Sequence, residues 1–296
     1  MVYIAYFRKR ELKTTIIMAS IYFVCHPYNT PHIVKHTICR WNTTRAHWRK
    51  LLMSLRSKYI DCNDRQLKEG DICFVGEWEC CSECRPCPTT NILFKDIHQP
   101  FITEMDNYQH ILSTDPFVFG PRFYYTCCKK ERTREMTSGD IVIFGSYKKS
   151  LPNKIIVDTV MVLNERIEML GQPEHKFPYG YTHTTLSRIH PNDWVWSGMM
   201  YDDLLCSDDA KMFSFVPCLP LQEGKQIKPI DIPCAIDDTL LGYKIKYGQN
   251  VNPLAVPAKD LKLIYDEIIR QVAAAGFCLG VRMPMPKKRE VSDILE

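Results

Sequence analysis

"EGDICFVGEWE" at residues 69–79 and "SGDIVIFGSYK" at residues 138–148 are two versions of one phrase. Each version contains Gly-Asp-Ile, then three residues that include a phenylalanine, then a second glycine. The Gly-Asp pair is typical of a turn, and the unbroken apolar run after it predicts a strand that is covered on both faces. The second glycine, Gly76 or Gly145, indicates a bulge or a close approach of two backbones, either at a barrel corner or facing a ligand.

The two copies differ after the second glycine, where residues 77–79 read "EWE" and residues 146–148 read "SYK". A strand that becomes polar at its end can face a ligand, so we expect a binding site at these two ends. Glu77 and Glu79 lie two residues apart and therefore share one face of a strand. They are interpreted either as an acid and a base or as exposed charges at the edge of a sheet.

Aromatic residues within or beside the two copies are candidates for base stacking, which contributes about 1–3 kcal/mol per base. The alternative is that these rings fill the core. Trp78 is expected to emerge where the strand becomes polar. The ligand-binding candidates are Trp78, Glu77, Glu79, Tyr125, Lys129, Ser146 and Tyr147.

Positive charge is concentrated in residues 35–70, which hold nine Lys or Arg and three acidic residues. An excess of this kind attracts polyanions. Apolar residues recur at helical spacing in "TTRAHWRKLLMSLRSKYI", residues 43–60, and predict an amphipathic helix over 45–59. Arg45, Arg49 and Arg56 would share its basic side, either as phosphate contacts or as a solvated surface.

The cysteine-rich stretch "CCSECRPC" at residues 80–87 has the spacing of a zinc knuckle in Cys81, Cys84 and Cys87. A complete zinc site would need further ligands, for which Cys127-Cys128 and His98 are candidates. The alternative is a surface loop whose cysteines are incidental. No other cofactor is predicted, because the chain lacks a P-loop, a dinucleotide fingerprint and a His-Glu-x-x-His motif.

Composition is ordinary for a globular protein, with 296 residues, 45% hydrophobic residues, 24% charged residues and a net charge of +4. The cysteines are scattered through apolar runs, where a thiol behaves as a small hydrophobic group. No secretory signal is apparent, and the longest apolar runs are too short to span a bilayer. We therefore expect a cytoplasmic protein without a membrane partner.

Two stretches carry a resemblance to known proteins. "MTSGDIVIFGSYKKSLPNKIIVDTVMVL", residues 136–163, resembles the central hairpin of PUA-like barrels of the ASCH and EVE branches. "TDPFVFGPRFYYTCCKK", residues 114–130, resembles uncharacterised prokaryotic proteins described as nucleotide-modification-associated. The resemblance covers roughly residues 20–165. It implies an α+β fold, a PUA-like mixed β-barrel with flanking helices and a C-terminal helical extension.

The same resemblance implies a module that binds nucleic acid or a nucleotide, reading a modified base in a prokaryotic modification or defence context. Family members of this kind bind RNA or modified bases in a pocket on the barrel, and many are not enzymes. The alternative is an enzyme that acts on a nucleotide or nucleic acid through a carboxylate or a cysteine near the Gly-Asp strands.

The domain organisation is predicted from these observations. Residues 1–17 are interpreted as a disordered extension, residues 18–170 as the barrel core with a cysteine-rich insertion at 80–92, and residues 171–296 as an extension packed on the core. A stripe of apolar residues that ends at Gly276 predicts a helix at about 258–275.

Overall fold

The structure is a computed structural model. It describes residues 17–26, 38–39, 42–43, 46–47, 50–87, 96–103, 114–126, 135–170, 176–185, 193–204, 211–221, 233–246 and 253–290.

Within these ranges the chain forms two α-helices, one short 3-10 helix and many strands. The helices are α1 Tyr179–Thr184 and α2 Ala258–Ala274, and the 3-10 turn is Tyr201–Asp203. The strands are β1 Met18–Cys25, β2 Ile38–Cys39, β3 Asn42–Thr43, β4 Ala46–His47, β5 Lys50–Ile60, β6 Leu67–Glu77, β7 Ser82–Pro86, β8 Asp96–Thr103, β9 Tyr124–Tyr125, β10 Ile141–Ser146, β11 Lys154–Glu168, β12 Trp194–Gly198, β13 Val216–Pro220, β14 Ala235–Asp237, β15 Thr239–Leu240, β16 Tyr243–Lys244, β17 Leu254–Pro257, β18 Cys278–Arg282 and β19 Lys287–Arg289.

Two sheets contain most of these strands, so the fold is a sheet-rich α+β arrangement. The first sheet has the order β17-β1-β10-β11-β12-β9, with β14 also paired to β11. The second has the order β18-β13-β6-β5-β8-β7-β2, with β19 also paired to β8. Strand β18 pairs with β5 as well as with β13, so β5, β6, β13 and β18 form a circuit of pairings.

The two copies of the repeated phrase lie in different sheets, because β6 belongs to the second sheet and β10 to the first. Their apolar runs are buried as predicted, at 72–75 in one copy and 141–144 in the other. The predicted return strand is also confirmed, since β11 pairs antiparallel with β10. Strands from beyond residue 170 enter both sheets, including β12 in the first and β13 in the second.

The helix predicted over residues 45–59 is wrong. Strand β5 occupies Lys50–Ile60 and pairs antiparallel with β6 at every position from Lys50↔Glu77 to Ile60↔Leu67. A turn whose first residue, Asp61, accepts a hydrogen bond from the Asn63 N–H at 2.9 Å joins the two strands. Eleven paired positions and burial on both faces outweigh the helical spacing of the apolar residues, because tertiary packing overrides local preference.

The Gly-Asp turn is present in only one of the two copies. Gly139 has φ +90° and the Asp140 carboxylate accepts hydrogen bonds at 2.8 Å from the N–H groups of Thr137 and Ser20. Gly70 and Asp71, in contrast, lie inside β6 and pair with β5. The turn predicted there is therefore wrong, because the β5–β6 hairpin has its turn several residues earlier.

The second glycine of the second copy marks a bulge, as predicted. The register of β10 and β11 shifts between Phe144 and Gly145, so that Asp158 is the extra residue between Thr159 and Val157. A Cβ added at Gly145 would overlap the carbonyl oxygen of Ile156 on β11. Glycine is therefore required at this close approach of two backbones.

The C-terminal helix is confirmed in type and position. Helix α2 buries Leu261, Ile264, Tyr265, Ile268 and Val272, and Gly276 follows it with φ +86°. Among the described residues no helix is both long enough and apolar enough to cross a membrane. The predicted disorder of residues 1–17 concerns a segment that lies, except for its last residue, outside the described residues.

Replacing Gly145 and, as a comparison, Gly76 by alanine tests whether the β10 and β11 backbones approach closely at Gly145. We expect Gly145→Ala to lower the free energy of unfolding by about 2–3 kcal/mol, because the added methyl group meets backbone that cannot move away. Gly76→Ala is the matched control, since its Cβ would meet side chains rather than backbone: the flexible end of Met53 at 2.7 Å and the Phe74 ring at 3.1 Å. The free energy of unfolding of the Gly76→Ala variant should fall by less than about 1 kcal/mol. Urea unfolding measures both, and equal losses would contradict the account.

Candidate functional site

A cluster of five buried polar residues, here called the clasp, lies where the two copies of the repeated phrase end. It consists of His26, Lys50, Glu77, Ser146 and Asp158. Glu77 and Ser146 directly follow the second glycine of their copies. A ligand-binding site was expected at these two ends; the structure places buried polar residues at both, and the two strands lie in different sheets.

Contacts within the clasp run from one sheet to the other. His26, just after β1 of the first sheet, contacts Glu77 of the second through Nδ1 and Oε1. The Lys50 Nζ of the second sheet donates to Ser146 Oγ and to Asp158 Oδ2 of the first. Ser146 Oγ in turn donates to the main-chain carbonyl of His26 at 2.8 Å. The His26–Glu77 contact and the Lys50–Asp158 ion pair therefore both join the two sheets.

Backbone geometry brings these side chains together. Lys50 and Glu77 are directly opposed at one end of the β5–β6 ladder, so they share a face. The bulge in β11 carries Asp158, and bulges are known to redirect a side chain. The described part of the chain provides no hydrogen-bond partner for His26 Nε2 or Asp158 Oδ1.

Burial dominates the electrostatics of the clasp. It raises the pKa of the Asp158 carboxyl, and contact with the Lys50 ammonium opposes that rise. Each charged group has given up its hydration, and the attraction within each pair offsets that cost only while both partners remain. Such an arrangement fixes the register of the two sheets, because neither sheet can shift without separating a buried pair.

Several ligand-binding candidates from the sequence are core residues. Trp78 was expected to emerge from the strand but is fully buried: its ring packs edge-on against Phe119 at 5.1 Å, and its indole N–H donates to the Cys81 carbonyl at 2.9 Å. The interpretation of Glu77 and Glu79 as exposed charges at the edge of a sheet is also wrong, since both residues are at least 96% buried.

The remaining ligand-binding candidates near the strand ends differ in their burial. Tyr125 is fully buried and packs edge-on against Phe144 at 4.9 Å. Tyr147 is half-buried. Lys129, like Cys127 and Cys128, lies outside the described residues. These rings therefore do not form a common stacking surface.

The cysteine-rich stretch does not form a knuckle. Strand β7 is extended, so Cys84 and Cys87 lie on opposite sides and pack against different core clusters, while Cys81 is buried. Among the described residues no group of three His, Cys, Asp or Glu side chains could hold a metal ion. A zinc knuckle needs a tight turn that brings its thiolates together, and an extended strand prevents this.

A groove of about 570 Å³ opens where β5 separates from β8. These parallel strands pair only at Met53↔His98, and the later residues of β5 pair with β18 instead. The lining residues come from four strands: Ser54, Leu55, Arg56, Asp71, Glu83, Cys84, Arg85, Ile97, His98 and Gln99. The volume is in the usual range for small-molecule sites.

Most polar side chains of the groove lie on one face of the second sheet. Directly opposed residues in paired strands share a face, and alternate residues along a strand share it too. The register therefore puts on a single face Ser54, Arg56, Asp71, Glu83, Arg85, Ile97 and Gln99. Lys50 of the clasp lies on the same face, four residues from Ser54, which is about 13 Å along the strand.

Two arginines give the groove its positive charge. Arg56 is exposed and forms an ion pair with Glu69 at 3.0 Å, an arrangement that water screens strongly. Arg85 is exposed and makes no ion pair with any residue of the described ranges. Of the three predicted phosphate contacts, Arg56 lines the groove. Arg45 and Arg49 lie outside the described residues.

His98 also lines the groove, but the register places its side chain on the opposite face of the sheet, level with Met53 and Cys84, and it is neutral. Burial lowers the pKa of its imidazole to about 4, and its Nδ1 lies 3.1 Å from Ser82 Oγ. The ring therefore contributes hydrogen bonding but no positive charge at neutral pH.

No protein-family model matches this chain, and neither a curated protein nor a solved structure matches it. Function must therefore be inferred from the geometry of the groove and the clasp.

Three clasp residues were missed by the sequence reasoning. Asp158 interrupts the apolar run "KIIVDTVMVL", residues 154–163, and a lone acid in such a run is a usable signal. His26 closes the first strand, while Lys50 was assigned to a helix. The groove residues Arg85 and Gln99 carried no signal, since residues 80–92 were interpreted as a loop and the strand of Gln99 was not predicted.

A double-mutant cycle tests the clasp. We expect Lys50→Met to lower the free energy of unfolding by about 3–5 kcal/mol, because it leaves a buried carboxylate without its cation. Adding Asp158→Leu should recover most of that loss, which urea unfolding would show as a large coupling energy.

The matched control is the exposed pair Lys154–Asp237 on the same strand, at 2.9 Å. Lys154→Met should cost less than about 1 kcal/mol. If Lys50→Met were no more destabilising than this control, the clasp would not hold the sheets together.

Proposed function

We propose that this protein binds a nucleotide or nucleic acid in the groove between β5 and β8 and reads a base there. The observation that carries the proposal is the juxtaposition of an arginine without an ion pair, Arg85, with exposed amide and carboxylate groups on one sheet face. Arginine guanidinium groups bind phosphate in bidentate geometry and also stack on bases.

Side chains of the groove have the chemistry that base edges require. Gln99 offers a donor and an acceptor, Asp71 offers acceptors, and Arg56 offers a planar set of donors. Arginine pairs with guanine, glutamine with adenine, and carboxylates accept from the amino group of cytosine. A modified base fits the same proposal, because an added group would enter the open side of the groove.

For the fold we propose a variant of the PUA-like barrel. The circuit of pairings among β5, β6, β13 and β18 supports a closed element in the second sheet. The hairpin that carries the sequence resemblance is β10–β11, and it belongs to the first sheet. In this proposal the clasp joins the two parts.

Titration of labelled single strands, unmodified and modified, and of free nucleotides tests the function. Binding should be detectable by fluorescence anisotropy and should weaken between about 50 and 200 mM salt. Arg85→Ala should weaken it by about 1–3 kcal/mol, because it removes a guanidinium contact.

Lys259→Ala is the control, since this exposed lysine lies on α2 and outside the groove lining. It should leave the affinity unchanged. Absence of binding at both salt concentrations would overturn the proposal, as would an Arg85→Ala variant that binds as tightly as the unaltered protein.

A further inference from the structure

Strand β19 extends the polar face of the groove. It runs parallel to β8 with the register Lys287↔Phe101 and Arg289↔Thr103. Phe101 and Thr103 alternate in phase with Gln99 of the groove, so Lys287 and Arg289 share the face on which the groove opens. This basic strand was not singled out by the sequence analysis.

Side-chain contacts connect β19 to the groove wall. The Arg289 guanidinium lies 4.7 Å from the centroid of the Phe101 ring and contacts Glu83, which lines the groove. This contact holds the pKa of the Glu83 carboxyl below its usual range. Lys287 is exposed and has no ion pair with any residue that the structure describes.

Charge on this face is predominantly positive. The basic side chains outnumber the acidic ones: Arg56, Lys58, Arg85, Lys287 and Arg289 against Glu69, Asp71 and Glu83. Glu83 and Glu69 are already paired with arginines, whereas Lys58, Arg85 and Lys287 form no ion pair with any described residue and are left for a ligand.

The two ends of this surface are too far apart for one nucleotide. Arg85 is level with Ile97 and Arg289 with Thr103, which places them six residues apart along β8. Six residues of a strand span about 20 Å. Phosphates of a stacked strand follow one another at about 3.4 Å, so a surface of this length matches several nucleotides.

We propose that the ligand is a single-stranded polynucleotide that runs from the groove across the Arg289–Phe101 contact onto Lys287 of β19. The inference rests on the proposed function and adds the class of ligand. The groove reads one base, and the basic face of β19 binds the phosphates that follow. Single strands suit a sheet face because their bases are free to turn toward it.

Affinity measured as a function of oligonucleotide length tests this inference. A free mononucleotide is compared with oligonucleotides of increasing length, each titrated against the unaltered protein. Affinity should rise with length until the strand covers β19. Lys287→Glu should weaken oligonucleotide binding about tenfold and reduce the salt slope, while leaving mononucleotide binding unchanged.

Lys259→Glu is the matched control for the charge change, because this exposed lysine lies on α2. If mononucleotides bind but length adds nothing, or if both glutamate variants behave alike, the polynucleotide surface is overturned while the proposed function stands. If an acidic peptide of equal charge competes as well as the oligonucleotide, the surface is a general polyanion site and the inference is likewise overturned. If neither nucleotides nor oligonucleotides bind, both proposals fail.

Discussion

Two buried side-chain pairs, the His26–Glu77 hydrogen bond and the Lys50–Asp158 ion pair, cross between the sheets of this protein, and the arrangement of everything else depends on them. A sheet packed on another sheet by apolar contacts alone can slide, because such contacts are non-directional. Buried charges cannot slide apart without leaving one partner unpaired, which costs several kcal/mol. The clasp therefore ties the end of β1, β10 and β11 to the paired ends of β5 and β6.

This constraint also positions the groove. Strand β5 starts at the clasp, with Lys50 fixed against Asp158, and then runs beside β8 before turning toward β18. Since one end of β5 is held and the other is paired with β18, the gap between β5 and β8 is fixed in width. A rigid groove costs less ordering entropy on binding than a mobile one, which favours selective recognition. The clasp thus serves the site without being exposed to its ligand.

Much of the local structure could be predicted from the sequence. The apolar runs at 72–75 and 141–144, the bulge at Gly145 and the helix that buries Ile264 and Ile268 follow from local patterns that tertiary packing did not change. The β5 strand could not be predicted, because its residues satisfy helical spacing and only pairing with β6 decides between the two. Trp78 was misassigned for a similar reason, since its burial depends on Phe119, forty-one residues later.

The site was harder to predict than the fold, because it is assembled from strands that are distant in sequence. Glu77 and Ser146 could be singled out as the points where two similar copies diverge. Their partners His26 and Asp158 come from elsewhere in the chain, and no local pattern links them. The groove depends on the separation of two parallel strands, a property of the register that no sequence motif carries.

Hydrogen–deuterium exchange with and without a single-stranded oligonucleotide tests the central claim most directly. The account predicts slower exchange of backbone amides at residues 54–57, 83–85, 97–99 and 287–289 when the strand is bound, and no change at 258–274 in α2. Protection confined to α2, or protection that avoids both β5 and β8, would contradict it.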